Sequence, residues 1–239
     1  MEKQFTVQTN GLCKEYDGRA VLNRMNINVS AGEIYGILGA NGAGKTTLLK
    51  LLAGLLEPTE GEAYILGKNT WEDRNAVLSD IGSLIEVPVF YEHLPAAENL
   101  SIHLEYMSRD ADVRKMLERV GLGDVGNKPV SKFSLGMRQR LGIARSMIHK
   151  PKVLLLDEPI NGLDPVAIRE MRELFISLKN EGITVLLSSH ILSEIEQTVD
   201  RVAVIANGSL ILEANMNDLK VEHQSNLEDF LIKKMSGGK

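Results

Sequence analysis

Short runs of β-type residues alternate along the chain with longer stretches that have helical spacing. Seven runs rich in Val, Ile, Leu and Tyr predict strands. They cover residues 4–9, 21–28, 33–38, 61–66, 152–157, 183–188 and 200–206. The run "KVLLLD" at 152–157 is continuously apolar, which is typical of a parallel strand buried on both faces. The alternation of strands and helices therefore predicts an α/β fold with a mixed β core.

The middle of the chain has a different pattern. Residues 87–150 carry almost no strand signal, which predicts a helical subdomain inserted into the core. Within residues 96–121, apolar side chains recur at i, i+3, i+4 and i+7, as an amphipathic helix requires. These side chains are Val113, Met116, Leu117 and Val120.

A further helix has clear boundary signals. Asp164 is a good N-cap, and Pro165 suits the first helical position. Ile168, Met171, Phe175 and Leu178 give the apolar stripe, and Gly182 marks the end. We therefore predict one domain over residues 1–239, with a core lobe formed by about 1–86 and 151–220. The helical subdomain covers about 87–150, and a short C-terminal helix covers about 225–236.

Composition and charge narrow the class of protein. The 239 residues carry a net charge of −5, which argues against a nucleic-acid partner. Cys13 is the single cysteine, so no internal disulfide can form and a reducing compartment is expected. No apolar run approaches the ~20 residues that span a bilayer, and the N-terminus lacks the apolar core of a signal peptide. Any membrane association should then depend on a partner.

The segment "GANGAGKTT" matches the pattern G-x-x-x-x-G-K-[ST] between a predicted strand and a predicted helix. In such a loop, backbone N–H groups point inward at a phosphate chain, and the helix adds its positive dipole end. The predicted nucleotide-binding residues are Gly39, Asn41, Gly42, Ala43, Gly44, Lys45, Thr46 and Thr47. We expect Lys45 to reach the β- and γ-phosphates, and the Thr46 hydroxyl to bind Mg²⁺.

Polar residues follow two of the predicted buried strands. Asp157 ends "VLLLD" and can hold Mg²⁺ directly or through water, while Glu158 next to it suits a general base for the attacking water. The strand "LLSSH" ends at His190, which could contact the γ-phosphate or orient the water. A lone His at a strand end is more often structural, and an acidic pair can equally cap a helix. The upstream phosphate loop favours the catalytic interpretation.

A second anion site is predicted in "SKFSLGMRQRLGIARSMI". Ser134 and Gly136 precede a helical pattern, and backbone amides at a helix N-terminus bind anions. One nucleotide does not need two phosphate-binding sites on one chain. A head-to-tail pair of chains would use both, with each chain's second site closing over the other's ATP.

In this order, the motifs resemble those of the nucleotide-binding subunit of ATP-binding cassette (ABC) transporters, over nearly the whole chain. "GANGAGKTT" is similar to its Walker A motif, "VLLLDEP" to its Walker B, and "INGLDP", which contains Asp164, to its D-loop. His190 matches the switch histidine, and "FSLGMRQRL" is similar to the signature sequence L-S-G-G-Q. Phe133, Leu135 and Met137 depart from that signature. Tyr16 falls where the family stacks an aromatic ring on adenine.

Glu86 gains meaning only from this resemblance. Alone, an acidic residue between a strand at 81–85 and Pro88 is an ordinary solvated strand end. The family usually has a Gln there, in a loop that senses the γ-phosphate and Mg²⁺ and couples them to the membrane partner. The segment "SLIEVPVFY", together with "SLGMRQRL", is similar to the ATPase subunits of lantibiotic and bacitracin-type immunity exporters, which carry a Glu in this loop. The resemblance therefore implies that Glu86 lies at the Mg²⁺ edge of the active site, as a metal or catalytic residue.

The same resemblance implies the function and the partners. The expected activity is ATP hydrolysis with ATP and Mg²⁺, coupled to export of antimicrobial peptides by integral membrane permease subunits. The chain would pair with a second nucleotide-binding subunit and sit at the cytoplasmic face of the membrane. A multidrug or lipid exporter stays open as an alternative cargo class. A non-transport ABC ATPase is disfavoured by the single cassette and the acidic pI, and a P-loop kinase or GTPase by the second anion site.

Overall fold

A computed structural model describes residues 5–235, apart from the side chain of Ser225. The strands of this part are β1 (Val7–Tyr16), β2 (Arg19–Met25), β3 (Asn28–Val29), β4 (Ile34–Leu38), β5 (Glu60–Ile65), β6 (Lys68–Asn69), β7 (Ile81–Leu84), β8 (Val153–Leu156), β9 (Thr184–Ser189), β10 (Arg201–Ala206) and β11 (Ser209–Asn215). Its α-helices are α1 (Lys45–Leu52), α2 (Arg74–Leu78), α3 (Ala96–Met107), α4 (Val113–Arg119), α5 (Leu135–Met147), α6 (Pro165–Asn180), α7 (Leu192–Ile195), α8 (Met216–His223) and α9 (Leu227–Met235).

A central sheet has the strand order β11-β10-β4-β9-β8-β7, in which all neighbours are parallel except β10 and β11. Parallel strands place their carboxyl ends at one edge, so residues following β4, β7, β8 and β9 come together there. A second, antiparallel sheet has the order β2-β1-β5-β6, with β3 paired to β1. The predicted α/β fold with a mixed β core is confirmed.

The central sheet is buried on both faces, as the apolar run of β8 predicts. Val153 and Leu155 belong to the core formed with α1 and the second sheet. Leu154 and Leu156 belong to the opposite core, which α3, α5 and α6 cover. Because successive side chains in a strand point to opposite faces, one strand serves two hydrophobic cores.

The segment between β7 and β8 contains helices and, among its described residues, no strand. Helix α4 carries the predicted amphipathic spacing, since Val113, Met116 and Leu117 lie within it, and a break separates α4 from α3. Ser108 ends α3 with a left-handed φ of 49°, and the side chain of Asp112 caps α4. Val120 follows the end of α4 and is fully buried. The division into a core lobe and a helical subdomain stays a prediction.

Helix α5 packs directly on strand β7. A Cβ atom on Gly82 would lie 1.7 Å from the Ser146 carbonyl oxygen, and a Cβ on Gly142 would lie 2.9 Å from Leu84 Cδ1. Any larger residue at position 82 would force the two backbones apart. The two elements therefore touch over this stretch with no intervening side chain at Gly82.

Strand β11 and helix α8 were not predicted from the sequence. Asn207 and Gly208 both have positive φ, 49° and 75°, and they turn β10 into β11. Asn-Gly is a strong hairpin signal, so this turn was visible in the sequence. The strand itself has no fully buried residue and therefore no clear apolar pattern. In the described part of the chain, no helix is long and apolar enough to cross a membrane.

Candidate functional site

The loop between β4 and α1 has the conformation that phosphate binding requires. Gly42 and Gly44 have φ values of 79° and 108°, which other residues rarely adopt. A Cβ on Gly39 would meet the Ile205 carbonyl oxygen at 2.6 Å, so the loop also needs glycine to pass β10. The Lys45 side chain is only 5% exposed, and its Nζ donates to the carbonyl oxygens of Gly39 (2.8 Å) and Ala40 (3.2 Å). The lysine is thus held under the loop.

Asp157 lies at the centre of a short hydrogen-bond chain. Thr46, in the first turn of α1, donates from Oγ1 to Asp157 Oδ2 at 2.7 Å. Ser188 in β9 donates from Oγ to Asp157 Oδ1 at 2.6 Å. The parallel register, which places Leu156 opposite Leu187, explains why these residues of neighbouring strands meet. Both carboxylate oxygens are therefore fixed, one by α1 and one by β9.

Glu158 is held by contacts from four directions. Its backbone N–H donates to Ser188 Oγ at 2.9 Å, and its Oε2 accepts from Asn161 Nδ2 at 3.0 Å. Oε1 lies 3.5 Å from Lys45 Nζ and 3.1 Å from His190 Nδ1, the latter outside hydrogen-bond geometry. The residue has a φ of 46°, a sparsely populated conformation for a non-glycine residue. Such strain is often found at functional sites.

A cleft of about 420 Å³ opens over these residues. We call it the carboxylate cleft; its walls include Thr46, Glu86, Leu135, Arg138, Asp157 and Glu158. The structure therefore brings together most of the predicted catalytic and metal-binding residues, and places His190 against Glu158. In the described residues, no group of three or more His, Cys, Asp or Glu side chains is arranged to hold a metal by itself.

Glu86 reaches the carboxylate cleft but does not contact the other two carboxylates. It follows β7 with a φ of 62°, and its side chain is 62% exposed. Its Oε1 accepts a hydrogen bond from Lys50 Nζ at 2.6 Å. The strand-end glutamate therefore forms an ion pair with the last turn of α1, a partner that sequence reasoning missed.

At the predicted second anion site, helix α5 begins two residues earlier than expected. Leu135 and Gly136 do not precede the helix; they form its first turn, because Ser134 is the N-cap and accepts from the Met137 N–H at 3.3 Å. Leu135 is 63% exposed and extends into the carboxylate cleft. Gly136 lies against the Leu163 side chain. Thus the site lies next to the D-loop segment of the same chain.

Two predicted nucleotide contacts lie outside this arrangement. Asp164 caps α6 by accepting at Oδ1 from the N–H groups of Val166 and Ala167, both at 3.0 Å. These bonds, that of Ala167 foremost, lower the pKa of the Asp164 carboxyl. Tyr16 ends β1 with its ring 44% exposed and Lys14 Nζ 5.1 Å from the ring centroid. Roles at a nucleotide for both residues stay predictions.

Two residues that hydrogen-bond to the segment around Asp157 and Glu158 were also not predicted from the sequence. Ser188 was seen only as part of "LLSSH", although the strand register could have placed it beside Asp157. Gln139 in α5 donates from Nε2 to the carbonyl oxygens of Pro159 (3.1 Å) and Glu158 (3.4 Å). Both residues lie within stretches noted in the sequence, "LLSSH" and "FSLGMRQRL", but their contacts depend on which elements pack together.

Comparison with known proteins points to the same family as the sequence motifs. A family model described as "ABC transporter" matches residues 22–161. The bacitracin transport ATP-binding protein BcrA of Bacillus licheniformis is 48% identical, over 93% of this chain and 74% of its own length. The lantibiotic transport ATP-binding protein SrtF of Streptococcus pyogenes is 45% identical, over 84% of this chain and 87% of its own.

A solved structure shares the fold closely. It is the dimeric post-hydrolysis state of the ATP-binding cassette MJ0796, bound to ADP and Pi. It superposes with a TM-score of 0.82 at 26% identity, and the match covers 88% of this chain and 98% of that one.

Proposed function

Because this chain belongs to the ABC transporter family of ATP-binding subunits, we propose that it powers export of antimicrobial peptides of the bacitracin or lantibiotic type. The observation that carries the proposal is 45–48% identity, over most of the chain, to subunits named for bacitracin and lantibiotic transport. Glu86 supports it, since the resemblance to immunity exporters includes a Glu at this loop. The partners would be integral membrane permease subunits, with this chain at the cytoplasmic face of the membrane.

The chain is an ATPase, which is the activity of its family. The loop glycines and the α1 N-terminus present N–H groups to the phosphates, and Lys45 adds a positive charge beneath them. Glu158 is the proposed general base, because Asn161 and the Ser188-bound backbone fix its carboxylate beside His190. His190 is proposed to orient the attacking water or contact the γ-phosphate.

The proposed metal is Mg²⁺. Thr46 Oγ1 and Asp157 Oδ2 lie 2.7 Å apart, so a hydroxyl and a carboxylate already share one point of the cleft. Mg²⁺ prefers oxygen ligands and is usually held by one or two carboxylates together with substrate phosphates. These two residues fit that ligand set, with Glu86 proposed at its edge. When bound, the ion would neutralise phosphate charge.

Members of this family dimerise, and one solved relative is a dimer. We propose that the α5 N-terminus, with Ser134 and Gly136, closes over ATP bound to a second nucleotide-binding subunit. The exposure of Leu135 at this end of the helix leaves it accessible to a facing subunit. Whether the pair is two copies of this chain or two related chains, each nucleotide would contact both subunits.

The assignment of the base is tested with Glu158→Gln. Removing a general base lowers turnover by about 10²–10⁴-fold. We expect ATP binding to persist, hydrolysis to fall by at least about 100-fold, and a nucleotide-bound dimer to accumulate in size-exclusion chromatography. Glu173→Gln, in an exposed pair with Arg169, is the matched control and should leave turnover unchanged. Parental turnover in Glu158→Gln would show that another group is the base.

The cargo is tested in a peptide-sensitive Gram-positive strain that expresses this chain with its neighbouring permease genes. A panel of lantibiotics, bacitracin and unrelated drugs is titrated against growth. Protection confined to one peptide class, lost in Glu158→Gln and kept in Glu173→Gln, is the expected result. If the complex is present in the membrane and no peptide is tolerated better, the cargo belongs to the lipid or multidrug class.

A further inference from the structure

Glu86 adds a third carboxylate to a cleft that must accept a polyanion. Asp157 and Glu158 already line it, and the nucleotide brings the charge of its phosphates. Like charges a few Å apart oppose one another even at the dielectric of a protein surface. A Gln at this position would avoid the problem. In this chain, something must compensate for the extra charge.

Of the cations around the carboxylate cleft, two are already committed. Lys45 Nζ is bonded to two loop carbonyls beneath the phosphate site. Arg138 donates two bonds to Glu92, at 2.8 and 2.6 Å. Among the described residues, Lys50 is the cation that pairs with Glu86, with its Nζ 2.6 Å from Oε1. The ammonium group of Lys50 is thus the counter-ion of Glu86.

The pair also joins two parts of the site mechanically. Lys50 is the basic residue in the last turn of α1, the helix that starts at Lys45. Glu86 follows β7 in a left-handed conformation that directs its carboxylate toward α1. Lys50 is 29% exposed and Glu86 62% exposed, and pairs this accessible add little to folding stability. We therefore expect the Lys50–Glu86 pair to matter mainly for where it places the Glu86 carboxylate.

We propose that Lys50 is a positioning residue for Glu86, which holds the carboxylate away from Asp157 and Glu158 and cancels its charge while Mg·ATP binds. The proposal rests on the proposed role of the carboxylate cleft in ATP hydrolysis. Lys50 and Glu86 then act as one unit, and loss of Lys50 matters only when position 86 carries a negative charge.

A double-mutant cycle tests the proposal with Lys50→Met, Glu86→Gln and the combined variant. We measure KM for Mg·ATP and kcat of the isolated chain, and also the affinity for a fluorescent ATP analogue. In the Glu86 background, Lys50→Met should raise KM and weaken the affinity by up to about 5-fold, the range of an exposed ion pair. In the Glu86→Gln background the change should stay below about 2-fold. Lys50→Arg, which keeps the charge, should behave like the parent.

Lys68→Met is the matched control. Lys68 Nζ forms a similar ion pair with Asp80 Oδ2, at a distance of 2.8 Å, and this pair lies away from the cleft. The Lys68→Met variant should change neither the KM for Mg·ATP nor the affinity for the ATP analogue. The proposal is overturned if Lys50→Met has the same effect in both backgrounds, or no effect in either. No peptide or permease is present in this assay, so a wrong cargo assignment cannot alter its outcome. The affinity measurement shows whether the effect of Lys50→Met depends on the charge at position 86, even for variants with little turnover.

Discussion

Ser188 is the residue on which both carboxylates of the motif "VLLLDEP" depend, although its side chain need not touch substrate. It is fully buried in β9 and makes two bonds, one to the Asp157 carboxylate and one from the Glu158 N–H. Ser188→Ala removes a bond to a charged group, worth ~2 kcal/mol, and takes the partner from the partly buried Glu158 N–H, at a cost of ~1 kcal/mol. The expected loss of stability is about 3 kcal/mol.

For a chain of this length, each kcal/mol lowers Tm by about 2–4 °C, so Ser188→Ala should melt about 6–12 °C below the parent. Turnover should also fall by at least about 10-fold, because groups that orient active-site ligands commonly contribute 10–100-fold. The assay pairs calorimetry with steady-state ATP hydrolysis at a temperature where both proteins are folded.

Ser83→Ala provides the control for this measurement. Ser83 is a half-buried serine in β7 of the same sheet, and no described residue hydrogen-bonds to its hydroxyl. Its substitution should change stability by no more than ~0.5 kcal/mol. If Ser188→Ala melts within about 2 °C of the parent and retains full turnover, the hydroxyl does not hold the two carboxylates.

Two further predictions concern pH. Burial, with the nearby His149 and Arg145, lowers the pKa of His103 to about 4, so the unfolded chain binds the extra proton first and stability is lost as pH falls from about 6.5 toward 4. Burial also lowers the pKa of His149, so its contribution remains in His103→Asn. Between about pH 7.5 and 5 the contribution of His103 should reach about 1–2 kcal/mol, and His103→Asn should reduce the total loss by about that amount, as urea unfolding would show. Asp164→Ala should lower Tm by about 2–4 °C at neutral pH, while Asp164→Asn keeps the cap. Since capping lowers the Asp164 pKa, the Tm difference between the parent and Asp164→Ala should shrink as acid protonates the folded carboxylate, toward the difference between Asp164→Asn and Asp164→Ala; an unchanged difference at low pH would contradict this.

The parts of the site that local sequence encodes were predictable, and those that depend on packing were not. "GANGAGKTT" needs its own glycines to form its loop, and Asp157 ends an unbroken apolar strand, so both could be located from the sequence. Ser188, Gln139 and Lys50 act across elements that are distant in the chain, and nothing in their local sequence indicates a partner. The break between α3 and α4 has no clear signal in the sequence, because Ser108, which ends α3, is not a residue type that favours a left-handed conformation.

The direct contact between α5 and β7 provides a point about which the helix can rotate. Helix α5 has 13 residues and so extends about 20 Å, with Ser134 at one end and the contact with Gly82 near the other. A rotation of roughly 10° about that contact would move the Ser134 end by about 3 Å, the length of a hydrogen bond. Strand β7 ends at Leu84, two residues before Glu86, so the point of contact and the glutamate lie close together along the chain. A small tilt of the helix could thereby open or close contacts at the far end while the carboxylates stay in register.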